Sequence, residues 1–153
     1  MVVLLSWKRR RLRENKMWPK LTKEICSKTG EVHFKRWALL ETPWFNIYLH
    51  KIFKSDEDKH LHNHPWNFKS FLLWGSYSEL LMDKDFQDYA TLVDRYWWGW
   101  AKRGTYLFHH LMLEKPVWTL VFTGKRQGDW GYLVDGKFVG HQEYRLLKKE
   151  GKL

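Results

Sequence analysis

Short segments in which apolar and polar residues alternate recur along most of this chain. In residues 45–50, Phe45, Ile47 and Leu49 alternate with more polar neighbours, which is the period of two expected for a half-buried strand. The dipeptide Asp135-Gly136 predicts a tight hairpin turn, because it supplies the positive φ angles such a turn needs. Further strands are predicted over residues 66–74, 76–82, 95–100, 105–113 and 117–123. This spacing favours an all-β closed barrel or jelly roll.

The rest of the chain divides into a core domain and two basic ends. Residues 7–17 are interpreted as a short basic helix or arm, and residues 142–149 as a short helix. The 153 residues contain no repeat or linker and suffice for one domain. We therefore predict a basic arm at 1–28, one domain at 29–147 and a basic tail at 148–153. The eleven tryptophans suit a barrel core or a pocket that stacks flat ligands.

The net charge of +10 lies mainly at the two ends. Residues 1–20 hold seven Lys and Arg against one Glu, a net +6, and residues 143–153 hold four against two, a net +2. Residues 21–142 keep the remaining +2. A nucleic acid or other polyanion is thus a candidate partner at the termini, although a solvated tail explains the same charges.

Cysteine content and hydropathy indicate a cytoplasmic protein. Cys26 is the single cysteine, which excludes an internal disulfide and a cysteine-based zinc site. No apolar run reaches the ~18 residues needed to span a bilayer, so no membrane association is expected. The apolar start precedes the basic cluster, which is the wrong order for a secretory signal.

Histidines provide the strongest indication of chemistry. On a strand, His62 and His64 project from the same face, and imidazole is a common ligand of divalent metals. A third ligand must come from a distant segment, with His109 or His110 as the candidates, since neighbours on a strand face opposite ways. One divalent metal ion (Fe, Zn, Mn or Ni) would suit such a set. Such a pair is equally compatible with surface or hydrogen-bonded structural histidines.

These residues resemble the first motif of the cupin superfamily, G-x5-HxH-x3,4-E-x6-G. His62, His64 and Gly75 stand at the motif spacing, whereas Phe68 occupies the glutamate position and Asp56 that of the first glycine. The resemblance implies the cupin double-stranded β-helix, a jelly-roll barrel, and commonly a homodimer. Cupin activities range from dioxygenases and isomerases to plain binding, so the fold does not select an activity.

The chain is most similar to small, mostly uncharacterised bacterial and phage cupins with an HNHPW motif. The similarity covers roughly residues 30–145 and rests on residues 41–50 (ETPWFNIYLH), 61–66 (LHNHPW), 116–124 (PVWTLVFTG) and 130–131 (WG). It implies that His109 is the third metal ligand and that His110 faces out. A set of three histidines without the motif glutamate is similar to the iron site of thiol dioxygenase-type cupins.

Seven further residues are candidates for the site around the metal. Glu79 is a candidate general base or partner of a ligand histidine, and Tyr48 and His50 are candidates for catalysis from a shared strand face. Candidates for ligand binding are Trp66, Trp118, Arg36 and Lys51. Each candidate also has an explanation without function. Glu79 is then a surface carboxylate, Tyr48 and His50 belong to a polar outer face, and Trp66 and Trp118 lie in the core.

The leading functional hypothesis is a metalloenzyme for a small anionic molecule, dioxygenase-like or a metal-assisted isomerase or hydrolase. The alternative is a non-catalytic or weakly catalytic cupin that binds a sugar phosphate, nucleotide or RNA. A third hypothesis is a structural β-domain whose histidines are incidental.

Overall fold

The structure is a computed structural model, and it describes residues 19–27, 29–83 and 90–153. The described residues form eleven strands and one helix. They are β1 (Lys20–Cys26), β2 (Val32–Glu41), β3 (Asn46–Ile52), β4 (Trp66–Trp74), β5 (Ser76–Asp83), β6 (Thr91–Tyr96), β7 (Trp100–Arg103), β8 (Leu107–Met112), β9 (Val117–Arg126), β10 (Gly131–Val134), β11 (Lys137–Gly140) and α1 (His141–Lys149).

Two antiparallel sheets build a jelly roll, which confirms the predicted all-β fold. The larger sheet has the order β1-β2-β3-β9-β4-β7, and the smaller has the order β6-β5-β8. Strands β10 and β11 form the predicted hairpin around Asp135-Gly136, and α1 matches the predicted C-terminal helix. No helix among the described residues is long and apolar enough to cross a membrane.

The core lies where the two sheets join. Leu72 of β4 and Val117 of β9 pack against Tyr77 of β5, and all three are buried. Gly75 carries the chain from the larger sheet to the smaller with φ at +92°. A Cβ there would lie 2.8 Å from Val117 Cγ1, so the close approach of the two sheets requires glycine.

Alternation along the strands gives the larger sheet a chemically distinct outer face. One apolar row crosses all six strands in register, and it consists of Leu21, Trp37, Leu49, Leu120, Phe71 and Trp100. None of the tryptophans among the described residues is buried, so of the two predicted roles, a barrel core or a pocket for flat ligands, these side chains do not fill the first. Trp74, Trp98 and Trp100, for example, are 68%, 68% and 58% exposed.

Three predicted boundaries differ from the structure. Residues 20–26, assigned to a basic arm, form β1 and pair with β2. The proposed tail at 148–153 begins inside α1. The strand predicted over 95–100 is interrupted, because Trp97 and Trp98 form a turn between β6 and β7. The predicted arm or helix at residues 7–17 lies outside the described residues.

Candidate metal centre

Three imidazoles converge between the two sheets. His62, His64 and His109 each offer a ring nitrogen, and these nitrogens lie within 4.8 Å of one another. His64 Nε2 is 2.9 Å from His109 Nε2. The ring centroid of His62 lies 5.2 Å from that of His64 and 4.6 Å from that of His109. The side chains brought together are those the sequence predicted.

Backbone hydrogen bonds fix this convergence. The amide of His62 donates to the carbonyl of His109 at 3.0 Å, and the amide of His109 donates to the carbonyl of His62 at 2.8 Å. This two-residue bridge attaches the segment before β4 to β8. The side chains of a directly opposed antiparallel pair lie on the same face, so the bridge holds His62 beside His109.

Asn63 anchors the same segment on its other side. The side chain is buried, and its amide nitrogen donates to the carbonyls of Thr105 and Asp129 at 2.8 and 3.1 Å. Its amide oxygen accepts from the backbone of Gly131 at 2.9 Å. Because Asn63 lies between the two histidines, these bonds force both rings toward the opposite side.

Glu79 orients His109 through the nitrogen that faces away from the cluster. The His109 Nδ1 atom is 2.8 Å from Glu79 Oε1, and Arg103 donates to the same carboxylate from Nε at 2.8 Å and also from a terminal nitrogen. Arg95 donates to it at 3.3 Å. A proton on Nδ1 leaves the lone pair of His109 Nε2 for the cluster, an arrangement typical of metal-ligating histidines.

His62 has a carboxylate near its outward nitrogen as well. Asp56 Oδ2 lies 3.8 Å from His62 Nδ1, and it accepts from the backbone of Leu111 at 2.7 Å. Two of the three rings thus have an acidic group nearby, and the carboxylate at hydrogen-bond distance, Glu79 beside His109, increases the basicity of the opposite ring nitrogen.

Burial keeps two of the cluster histidines, His62 and His64, neutral. It lowers the pKa of His62 to about 4, with repulsion from His109 adding to the effect. Burial and repulsion from His109 and His62 lower the pKa of His64 well below its usual value. Neutral imidazoles are the form that binds metals.

Glu79 is ionised. Burial alone would raise its pKa, but the hydrogen bonds from His109 and Arg103 outweigh burial and hold the pKa at about 2. At neutral pH, Glu79 therefore supplies a negative charge behind His109.

The donor set fits a divalent metal. Metal–nitrogen bonds of about 2.1 Å at a right angle place two nitrogens about 3 Å apart, close to the 2.9 Å between His64 and His109. Phe68, at the position of the motif glutamate, packs edge-on against His64 with the ring centroids 5.0 Å apart. The cluster therefore offers three neutral ligands, with an apolar wall beside them.

The cluster opens into a cavity of about 1150 Å³. Of the predicted residues around the metal, Tyr48, His50, Arg36, Trp66 and Glu79 line this cavity. Tyr48 is buried, and its hydroxyl donates to Glu41 at 3.3 Å. Burial lowers the pKa of His50 to about 3, so its ring is neutral. Catalytic roles for Glu79, Tyr48 and His50 stay predictions.

The structure does not bring Trp118 and Lys51 to the cavity. Trp118 stacks on Trp37 with the ring centroids 5.6 Å apart, and Lys51 Nζ lies 4.9 Å from the centre of the Trp118 ring. Both side chains lie on the outer face, because Lys51 directly follows His50 and Trp118 directly follows Val117, and both of those preceding side chains face inward. Their predicted contact with a ligand in the pocket is therefore wrong for this cavity.

Several residues that shape the site were missed by sequence reasoning. Asn63 had a signal, since the residue between two inward-facing histidines must face the other way. Arg103 and Lys23 had none, because no pattern in the sequence assigns their strands to the cavity side. Lys23 lines the cavity from β1, within the stretch assigned to the arm.

Comparisons with solved structures support the fold. The chain is similar to FeII HppE in complex with substrate, with a TM-score of 0.55 and 9% identity over 71% of this chain and 57% of that chain. It is also similar to hydroxypropylphosphonic acid epoxidase from S. wedmorenis, with a TM-score of 0.50 and 11% identity over 66% of this chain and 55% of that chain. The chain thus spans little more than half the length of these structures.

A cupin superfamily protein from Desulfitobacterium hafniense has a TM-score of 0.47 and 11% identity over 60% of this chain and 77% of that chain. No family model matches the sequence. No curated protein matches it either. Fold and cluster together define a class: a jelly-roll fold similar to that of HppE, with a three-histidine cluster whose donors suit a divalent metal.

Proposed function

We propose that this chain binds one divalent metal ion through His62, His64 and His109 and acts as a metalloenzyme on a small anionic molecule. The observation that carries the proposal is the convergence of three imidazoles beside a large cavity, with carboxylates of Glu79 and Asp56 near two of them. Structural histidines need no such convergence. An ionised Glu79 supported by Arg103 is typical of a metal-ligand partner.

The ligand set favours an anionic substrate. A divalent ion held by three neutral ligands keeps its full charge and open coordination positions, where it would supply Lewis-acid or oxygen chemistry. Phe68 and the buried walls exclude water on one side, while Glu79 holds the proton on His109 Nδ1. Dioxygenase-like reaction and metal-assisted isomerisation or hydrolysis are both compatible with this geometry.

Elemental analysis of purified protein tests metal binding directly. We expect close to one metal ion per chain for the wild type and a loss of at least about tenfold in metal affinity for His64→Ala, because one of three ligands is removed. Fe(II) is the first metal to load, since HppE of the same fold binds it. His110→Ala is the matched control, because it changes a histidine of β8 outside the cluster.

A result in which His64→Ala keeps wild-type metal content would overturn the metal site. Activity is tested separately, by measuring turnover of a panel of small carboxylates, phosphates and thiols before and after chelation. Turnover that disappears with the metal and returns on reloading supports the enzyme. Full metal occupancy without turnover across the panel favours the non-catalytic cupin that binds a sugar phosphate, nucleotide or RNA.

A further inference from the structure

A row of polar side chains crosses the inner face of the larger sheet. In strand register, Lys23 of β1 lies opposite Arg36 of β2, Arg36 opposite His50 of β3, and His50 opposite Thr119 of β9. All four side chains line the cavity that holds the metal cluster. We refer to Lys23, Arg36 and His50 as the inner basic row.

Placing two cations directly opposite each other on paired strands is unfavourable. Like charges in this position repel, and a sheet optimised for stability alone would avoid them. Partial burial and the charge of Arg36 both lower the pKa of Lys23, which is the expected sign of that repulsion.

Nothing among the described residues neutralises the pair. Arg36 donates from Nε to the Thr22 hydroxyl at 3.2 Å and lies 4.4 Å from the centre of the Tyr48 ring, and Lys23 Nζ lies 5.7 Å from the Trp130 ring. In the described part of the chain, neither forms an ion pair with a carboxylate.

Several carboxylates that line the cavity are engaged with other cations, and none of the others there, Asp56, Glu57 and Glu143, forms an ion pair with Lys23 or Arg36. Glu79 pairs with Arg103 and Arg95, Asp58 with Lys148, and Asp129 with Arg126. Beside Arg36, the Nε2 atom of His50 is buried without a hydrogen-bond partner in the described structure. The inner basic row thus carries positive charge and hydrogen-bonding capacity that its own surroundings do not use.

From this juxtaposition we propose that Lys23 and Arg36 bind the anionic end, a carboxylate or a phosphate, of the molecule that the metal centre acts on. That the bound anion belongs to the substrate of the metal centre rests on the proposed function. Anion binding by Lys23 and Arg36 does not depend on it. A guanidinium binds either oxyanion with two parallel hydrogen bonds, and a lysine at the cavity edge adds a point charge. A cleft wall of one charge sign also draws anions toward the site.

The experiment measures anion binding in metal-free protein, so that a loss of metal binding cannot be mistaken for a loss of anion binding at Lys23 and Arg36. Inorganic phosphate and succinate are titrated separately and followed by NMR shifts of the folded protein. We expect one or both to bind the wild type, and the stronger of the two identifies the class. Arg36→Gln and Lys23→Gln should each weaken that binding about tenfold. Lys51→Gln, a lysine of the outer face next to His50, should leave it unchanged.

Two further readouts separate binding from folding. Lys23→Gln should raise the melting temperature of the metal-free protein, because one repulsive partner is removed. Arg36→Lys should retain more anion affinity than Arg36→Gln. If Arg36→Gln does not fold, the anion affinity of Lys23→Gln, a change at a half-exposed position, shows whether the inner basic row binds the anion.

The proposal is overturned if phosphate and succinate bind Lys23→Gln and Arg36→Gln as tightly as the wild type, or if neither anion binds the metal-free wild type. Metal content of each variant is measured in parallel. Normal metal content with lost anion affinity supports the row. If the protein holds no metal but still binds the anion through these residues, only the proposed metalloenzyme function is contradicted.

Discussion

At the scale of single residues, the site depends on which nitrogen of each histidine faces inward. Glu79 is hydrogen-bonded to His109 Nδ1, so a carboxylate outside the cluster sets the lone pair of His109 Nε2, whereas Asp56 lies 3.8 Å from His62 Nδ1. His62 and His64 were predictable from their spacing by two in an extended segment, and the family resemblance indicated His109 as the third ligand. Arg103 was not predictable, because its partner comes from the other sheet.

Glu79→Gln tests the role of this carboxylate. We expect metal affinity to fall about 10- to 100-fold, because the amide no longer fixes the His109 tautomer as strongly. The free energy of unfolding should fall by about 3–5 kcal/mol, because Arg103 loses its buried counter-charge. Metal titration and urea denaturation measure the two effects. The exposed pair of Glu31 with Lys54 gives the control, since Glu31→Gln should lower the free energy of unfolding far less than Glu79→Gln does.

The stability of the metal-free protein should decrease as the pH falls from about 6.5 to about 4. In the folded state the pKa of His50 is about 3 and that of His62 about 4, whereas the unfolded chain takes up these protons near pH 6.5. Protons therefore favour the unfolded state in this window, by an amount on the order of 1–2 kcal/mol per histidine at pH 5. Urea denaturation at pH 7 and pH 5 measures the change.

His50→Gln serves as the comparison for that pH series. It removes one of the groups that titrates only on unfolding, so its stability should depend less steeply on pH than that of the wild type. Equal slopes for the two proteins would contradict the account of His50. Between about pH 4.5 and pH 2, Glu79 adds a further decrease, because the unfolded chain takes up this proton near pH 4.5 whereas the folded carboxylate keeps its charge to about pH 2.

At the scale of elements, strand alternation decided which predictions held. His50 and Lys51 were both proposed for the pocket, but neighbours on one strand cannot face the same way, and Lys51 lies outside. The turn at Trp97 and Trp98 was missed because aromatic residues favour strands and Trp98 adopts a positive φ of 63° that sequence does not indicate. Strand β1 was missed because its charged residues gave no clean alternation.

Gly75→Ala should destabilise the fold more than Gly30→Ala. Both glycines have positive φ, +92° and +84°, so alanine is strained at either position. At Gly75 the new Cβ would also meet Val117 Cγ1 at 2.8 Å, whereas at Gly30 nothing lies within 4 Å. We expect about 1 kcal/mol for Gly30→Ala and about 2–4 kcal/mol for Gly75→Ala. Equal denaturation midpoints would contradict a role for Gly75 in the sheet junction.

At the scale of the whole molecule, charge and chemistry are separated. The metal cluster lies between the sheets, whereas most of the formal charge belongs to the ends of the sequence. The fold class was predictable because regular short strands permit few architectures. The cavity was not, because its volume depends on how two sheets meet.

Deletion of residues 1–18 tests the proposed polyanion partner at the termini. This cut removes six Lys and Arg and one Glu, a net +5, and stops before β1 so that the sheet is kept. We expect binding to single-stranded RNA to weaken and to lose salt dependence, while metal content stays the same. RNA affinity measured at two salt concentrations gives the result. Unchanged RNA affinity would assign any polyanion binding to another surface.

Glu79 has a wider significance through its position between the sheets. It extends from β5, accepts from Arg103 of β7 in the larger sheet and from Arg95 of β6, and faces His109 of β8. The architecture and the chemistry of the protein therefore share a single side chain. In evolution, positions 79, 103 and 109 should change together or not at all, since a replacement at one leaves the other two without a partner.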